Sequence, residues 1–292
     1  MNTPLIHADG RVLAAIDASV YARSVAELAA WAALRLAAPL ELLHAIERGA
    51  KPPTADLSGN LSLGGQEDLL AQLADLDEQR ARLAQEQGRV LLEQSRAHLA
   101  QAFGVEAQVR QRHGDLADSL LALEPDVRVF VVGKRGEHAN FDTGRLGGQL
   151  EHVLRAVHRP VLVASRAFKP PQRFLIAFDG GATTRRCVEM VCASPLLKGL
   201  ACDLLMVGEP GQTALHEQLA WAVAQLDSAG FKATAGIEPG HAEAVIAREV
   251  GARGIDLLVM GAYGHSRIRT MILGSTTTQV LRSCPIPVLL LR

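Results

Sequence analysis

Short, unbroken apolar runs alternate with amphipathic stretches along the whole of this chain. "VFVVG", "DLLVMG", "PVLVAS" and "PVLLLR" are of the first kind. Runs this short, rich in Val and Leu and without a polar face, are strands covered on both sides. "SVAELAAWAALRLA" (Ser24 to Ala37) and "ALHEQLAWAVAQLDSAG" (Ala214 to Gly230) have helical spacing, and Gly230 stands in the usual helix-stop position. Strands and helices in alternation predict βαβ units and a parallel sheet.

The pattern is written twice. "RVLAAIDAS" at Arg11 returns as "RFLIAFDGG" at Arg173, and "LELLHAIE" at Leu40 returns as "CDLLMVGE" at Cys202. "VRVFVVGKRG" at Val127 then matches "IDLLVMGAYG" at Ile255, and "LEHVLRAVHRPVLVAS" at Leu150 matches "TTQVLRSCPIPVLLLR" at Thr277. Four matches in one order predict two homologous α/β domains, residues 1–166 and 172–292, each with five strands. The connector "RAFKPPQ" is short and stiffened by Pro170-Pro171, so the halves are expected to sit against each other as an intramolecular pseudo-dimer. Further homodimerisation is left open by the sequence.

The first half carries an insert at about residues 49–100. Within it Leu69, Leu73, Leu76, Leu83 and Val90 fall on one helical stripe. An extended helix packing on its own sheet is the expectation, ahead of a lid or a partner-binding helix.

Composition narrows the class. With 30 basic and 31 acidic residues the net charge is -1, so there is no electrostatic footprint for nucleic acid. No apolar run reaches the length of a membrane span, and the first residues lack a signal-peptide pattern, which predicts a cytoplasmic protein. The four cysteines, Cys187, Cys192, Cys202 and Cys284, match no zinc or disulfide spacing and are expected to be buried thiols.

Chemistry concentrates after the strand "IDLLVM". Gly261 and Gly264 follow it directly, and Gly274-Ser275 precede the helical "TTTQVLRS". In an open parallel sheet, ligands bind beyond the carboxyl ends of strands, where strand order reverses. Glycines thin the wall there. A helix beginning at Ser275 offers free N–H groups and the positive end of its dipole to an anion, with the Ser275 and Thr276 hydroxyls beside them. A helix cap alone would also account for Gly274-Ser275. For Asp179, at the end of a strand and before Gly-Gly, a local turn competes with ligand contact. His265, Arg267 and Arg269 are placed either to reach a phosphate or to face solvent.

Gly261-x2-Gly264-x9-Gly274-Ser275, with Asp179 and the closing "PVLLL", resembles the ATP-binding class of universal stress proteins, once per half and over nearly the whole chain. The resemblance implies two tandem flavodoxin-like or Rossmann-like domains (adenine nucleotide alpha hydrolase-like), each with strand order 3-2-1-4-5. It also implies that Ala177, Asp179 and Val207 hold adenine and ribose. Met260, Gly261 and Gly264 would line the ribose and phosphate path, and Gly274, Ser275 and Thr276 would cradle the phosphates of ATP or a related adenine nucleotide. Asp179 is the candidate ligand for an accompanying Mg²⁺.

The first half departs from this pattern. Asp17, Gly133, Gly136 and Gly147 correspond, but its loop is one residue longer and Gly148 stands where a hydroxyl is expected. One competent site, in the second half, is therefore expected. The function implied is a stress-response regulator that binds adenine nucleotide. The alternatives are a slow ATPase or phosphotransferase, and a nucleotide-free scaffold for a protein or apolar ligand. No Walker loop, metalloprotease or hydrolase motif is present to favour rapid catalysis.

Overall fold

The computed structural model describes residues 7–46, 63–136, 148–262 and 275–292, with side chains from residue 72 onward in the second of these segments. The first half runs β1 (Arg11–Ala15), α1 (Ala22–Leu36), β2 (Leu40–Ile46), α2 (Leu63–Phe103), β3 (Ala107–His113), α3 (Leu116–Leu123), β4 (Val127–Gly133), α4 (Gly148–Ala156) and β5 (Val161–Ala164). The second runs β6 (Arg173–Phe178), α5 (Ala182–Ala193), β7 (Ala201–Val207), α6 (Thr213–Ser228), β8 (Ala233–Glu238), α7 (Ala242–Ala252), β9 (Leu257–Gly261), α8 (Ser275–Ser283) and β10 (Val288–Leu291). The expected stop after α6 is present: Gly230 has φ +84°, and the Phe231 N–H returns to the Leu226 carbonyl at 2.9 Å.

All ten strands belong to one sheet, in the order β3-β2-β1-β4-β5-β10-β9-β6-β7-β8. Within each half the strands are parallel. The halves meet through β5 and β10, which pair antiparallel with Val163 opposite Val288 and Val161 opposite Leu290. Both strands are buried at every position, so this is the centre of a sheet rather than a contact between two edges.

Each face of the sheet has one core that crosses the seam. On one face α1, the carboxyl-terminal part of α2, α5 and α6 pack together, joining Val131 and Leu162 to Met190, Leu196 and Leu289. On the other, α3 and α4 continue into α7 and α8. Polar contacts cross as well. Lys134 Nζ, buried, donates to the Cys284 carbonyl just beyond α8, and Arg292 donates to the Val157 carbonyl just beyond α4. In the repeat alignment these two carbonyls are equivalent positions, so each half closes the end of the other's helix. A cation suits that place, where orphan carbonyls carry partial negative charge.

The insert helix α2 differs from the expectation for its leucines. It is anchored by Leu92 and Leu99, which are buried, and by Gly88 lying against His44. Leu73, Leu76, Leu83 and Val90 are 40, 47, 59 and 39% exposed. The residues that touch the body pass through Ala84, Gly88, Leu91 and Leu92; Leu76, Leu83 and Val90 lie about 80–120° around the helix from Ala84, and Leu73 lies about 20° from it, on the stretch where every residue is exposed. The helix therefore binds the body with one face and leaves the stripe uncovered.

At the amino ends of the strands each half buries an acid. Glu41, 1% exposed, meets Arg11 at 2.5 Å and also Arg110. Its repeat equivalent Asp203 meets Arg173 at 2.6 Å and Arg253 at 3.4 Å. Asp256 secures the connector. Its carboxylate accepts from Lys169 Nζ at 2.7 Å and from the Gln172 and Arg173 N–H groups at 3.0 and 3.1 Å. Burial by itself would raise this carboxyl's pKa, but the three donors outweigh it and hold it below the ordinary aspartate value of 3.8.

A folded-state pKa below the unfolded one gives stability that is complete above the unfolded pKa and is lost as pH falls through the folded pKa. Asp256→Ala is expected to cost about 1.5–3 kcal/mol at neutral pH, as loss of charge-assisted hydrogen bonds does. Urea denaturation should show the gap from the unaltered chain narrowing once the pH is taken below about 4. A gap independent of pH between 7 and acid would show that the carboxylate does not act as a clamp.

Candidate functional site

The order of strands creates the site before any side chain is considered. In the second half the chain leaves β6 toward β7 on one side and reaches β9 on the other, so the order reverses between β6 and β9. The carboxyl ends of β6, β7 and β9 lie side by side there, with Ala177 in register with Leu205, and Ile176 with Val259. At such a point the loops diverge to opposite faces and leave a crevice.

That crevice is a cavity of about 300 Å³. Ala177, Asp179 and Val207 line it from β6 and β7, Met260 and Gly261 from β9, and Ser275 and Thr276 from the first turn of α8. Seven residues expected from the sequence are thus brought together. Gly264 and Gly274, with His265, Arg267 and Arg269, lie outside the described residues.

Asp179 does make its local turn. Its Oδ1 accepts from the Gly181 N–H at 2.8 Å and from the Thr184 hydroxyl at 2.6 Å, while Gly180 bends the chain at φ +77°. The turn is how the carboxylate is held at the cavity, so turn and ligand contact are not alternatives. Among the described residues Asp179 is the one carboxylate in the lining. Mg²⁺ is commonly held by one or two carboxylates together with substrate phosphates, so this donor set fits the ion only in the presence of a phosphorylated ligand. No group of three or more His, Cys, Asp or Glu among the described residues is placed to hold a metal by itself.

The opening of α8 supplies the opposite polarity. Ser275, Thr276 and Thr277 all line the cavity, so the amino end of the helix points its unpaired N–H groups there. Three hydroxyl-bearing residues and the helix dipole together favour an anion at that end. The rest of the lining is mainly apolar and includes Leu205, Val207, Ile246 and Met260.

Sequence reasoning missed Thr183 and Thr184 on α5, and Ala242 and Ile246 on α7. The threonines had a signal: hydroxyls four and five residues after a strand-end aspartate and opening a helix form a local cap. The α7 residues had none, because only the fold brings that helix beside β7 and β9.

Gly261 also has a packing reason to lack a side chain. A Cβ there would come within 2.9 Å of Thr183 Cγ2 and 3.4 Å of Cys187 Sγ. The missing side chain makes room for α5 to pack against this strand end. Cys187 beneath it is a poor nucleophile: burial, then the Asp179 charge, pushes its pKa up to about 12.

The first half has a cavity in the equivalent place, about 320 Å³, lined by Asp17, Gly133, Gly136 and Gln149. Gly147 lies outside the described residues. Two things distinguish this cavity. Gln149 stands where the second half has Thr276, with Arg135 also in the wall, and α2 roofs the opening with Ala84, Gln87, Gly88 and Leu91. The roof lies so close that a Cβ on Gly88 would collide with His44 and Gln111. His44 Nδ1 lies 2.8 Å from the Ile16 carbonyl, which requires a proton on that nitrogen. The first cavity is therefore partly roofed by the protein itself, and changed in its polar groups.

Comparison with known proteins agrees with this architecture. The universal stress protein family pattern matches twice, over residues 10–165 and 172–292. A universal stress protein of Synechocystis sp. is 38% identical over 285 residues, covering 96% of this chain and 99% of its own. The crystal structure of a universal stress protein from Archaeoglobus fulgidus has a TM-score of 0.67 at 20% identity, covering 97% of this chain and 98% of its own. A protein of unknown function from Pseudomonas aeruginosa has a TM-score of 0.61 at 16% identity, covering 97% and 93%. Repeat, sheet order and nearly full-length relative all agree, and this chain belongs to the universal stress protein family.

Proposed function

We propose that the second half binds an adenine nucleotide, and that the protein serves as a nucleotide-responsive regulator in the stress physiology of its family. The observation that carries the reading is the meeting of two kinds of lining in one cavity: apolar side chains with a fixed carboxylate, and the amino terminus of α8 with three hydroxyls. An adenosine suits the first and a phosphate chain the second. In this reading Ala177 and Val207 flank the base and Asp179 accepts from ribose hydroxyls, or holds Mg²⁺ once phosphates are present. Ser275 and Thr276 receive the phosphates, with Gly264 and Gly274 completing the loop around them. Asp17, Gly133, Gly136 and Gly147 belong to a second, degenerate site that α2 partly covers.

Rapid phosphoryl transfer demands charge neutralisation and an oriented nucleophile. The described part of the lining brings one carboxylate and no cation, and Cys187 stays protonated. We therefore read the site as one for holding a nucleotide, with cytoplasmic localisation in keeping with such a ligand. Among the described residues no helix is long and apolar enough to cross a membrane.

Thr276→Asp separates ligand binding from folding. A carboxylate in the first turn of a helix favours the helix, yet here it would stand where phosphate is to bind. Calorimetric titration with ATP should show affinity at least tenfold weaker, about 1.4 kcal/mol, with thermal stability unchanged or raised. Equal affinity in the two proteins would remove α8 from the binding site.

Stoichiometry tests the division between halves. Acid release from the purified chain, or saturation with ATP, should give near one equivalent of adenine, and phosphate release should stay far below ordinary enzyme turnover. Two equivalents would show that the first cavity opens. Sustained release at enzyme rates would replace binding by hydrolysis, and no adenine at all would leave the scaffold reading.

A further inference from the structure

We propose that the projecting half of α2 is a self-association surface, on which two copies of this chain pair as antiparallel helices. From Gln72 to Leu83 every residue of the helix is exposed. That is about three turns, or ~18 Å, standing clear of the body. A helix of this length without a packing partner is marginal in water, and this one carries Leu73, Leu76 and Leu83 on its surface.

The spacing is that of a seam between two helices. Leu69, Leu76, Leu83 and Val90 recur every seven residues, and Leu73 takes the alternate position four after the first. A narrow stripe of this period belongs to coiled-coil pairing, whereas a helix lying on a sheet presents a broader one. Arg80 fills a further seam position, which lowers stability and restricts register; Gln87, at the next, lies over the first cavity.

Charge selects the occupant and its direction. Residues 67–78 include Glu67, Asp68, Asp75, Asp77 and Glu78 and no Lys or Arg, while residues 79–96 carry Arg80, Arg82, Arg89 and Arg96 against Glu86 and Glu93. Parallel pairing would lay the acidic stretch on its own copy. Antiparallel pairing lays it on the basic stretch. Setting Leu76 of one copy opposite Leu83 of the other satisfies the twofold rule that each contact be repeated in reverse. The same register places Asp77 across from Arg82. Within one chain these groups make only exposed pairs, Arg82 with Glu78 at 2.6 Å and Arg80 with Asp77 at 3.9 Å, which stabilise little and can be exchanged.

Sedimentation velocity on the full chain, across a broad range of concentration, is expected to reveal a species of twice the 31.2 kDa chain mass. The L76D/L83D variant should remain monomeric throughout with an unchanged thermal melt, because both side chains face solvent in the single chain. For direction, a chain carrying Leu76→Cys mixed with one carrying Leu83→Cys should cross-link on mild oxidation, while neither does so alone. A monomer at every concentration, or a dimer that survives L76D/L83D, would overturn the proposal. Cross-linking of the Leu76→Cys chain with itself would overturn its antiparallel form.

Discussion

The strands β5 and β10 are apolar and buried at every position, and a strand of that kind cannot stand at the rim of a sheet in water. Each half therefore has an edge that must be covered, and each covers the other's. Three register pairs along a four-residue strand are a short ladder. The two cores that cross it, one on each face, make it a continuous interior. Both halves owe their arrangement to this junction, including the exchange by which Lys134 and Arg292 close the helix ends across it.

The junction also decides where the cavities lie. Strands are parallel within a half and antiparallel across the seam, so the carboxyl ends of the first half point to one rim of the sheet and those of the second to the opposite rim. Each rim consequently carries one cavity and, beside it in the other half, one buried acid: Glu41 or Asp203. The ionic groups that tie strand beginnings together are remote from the cavity of their own half. This separation leaves the carboxyl ends to loops and helix starts, which are tolerant of change.

Much of this was legible in the chain. Continuous apolar runs gave the strands, because burial on both faces leaves no polar alternation to confuse them. Repetition gave the two halves, and the placement of Asp179, Gly261, Ser275 and Thr276 around one crevice followed from position relative to strand ends. What escaped was whatever depends on elements meeting from a distance. The close approach of Thr183 to Gly261 is one such meeting. The leucines of α2 have helical spacing, yet Ala84, Gly88 and Leu92 are the residues that touch the body. Gly88, unremarked in the sequence, is what allows a helix to lie over the first cavity.

Lys134 occupies the position that Ala262 holds in the other repeat, as Arg135 does Tyr263 and Gln149 does Thr276. In an assembly of two identical chains, a substitution at any of these places would appear on both sides of the axis and alter both pockets together. Fusion into one polypeptide removes that coupling. In one chain the first half can carry a lysine that grips its neighbour and a helix that lies over its own cavity, while the second carries the glycine and hydroxyl pattern. The asymmetry of this molecule is thus one that two identical chains could not hold.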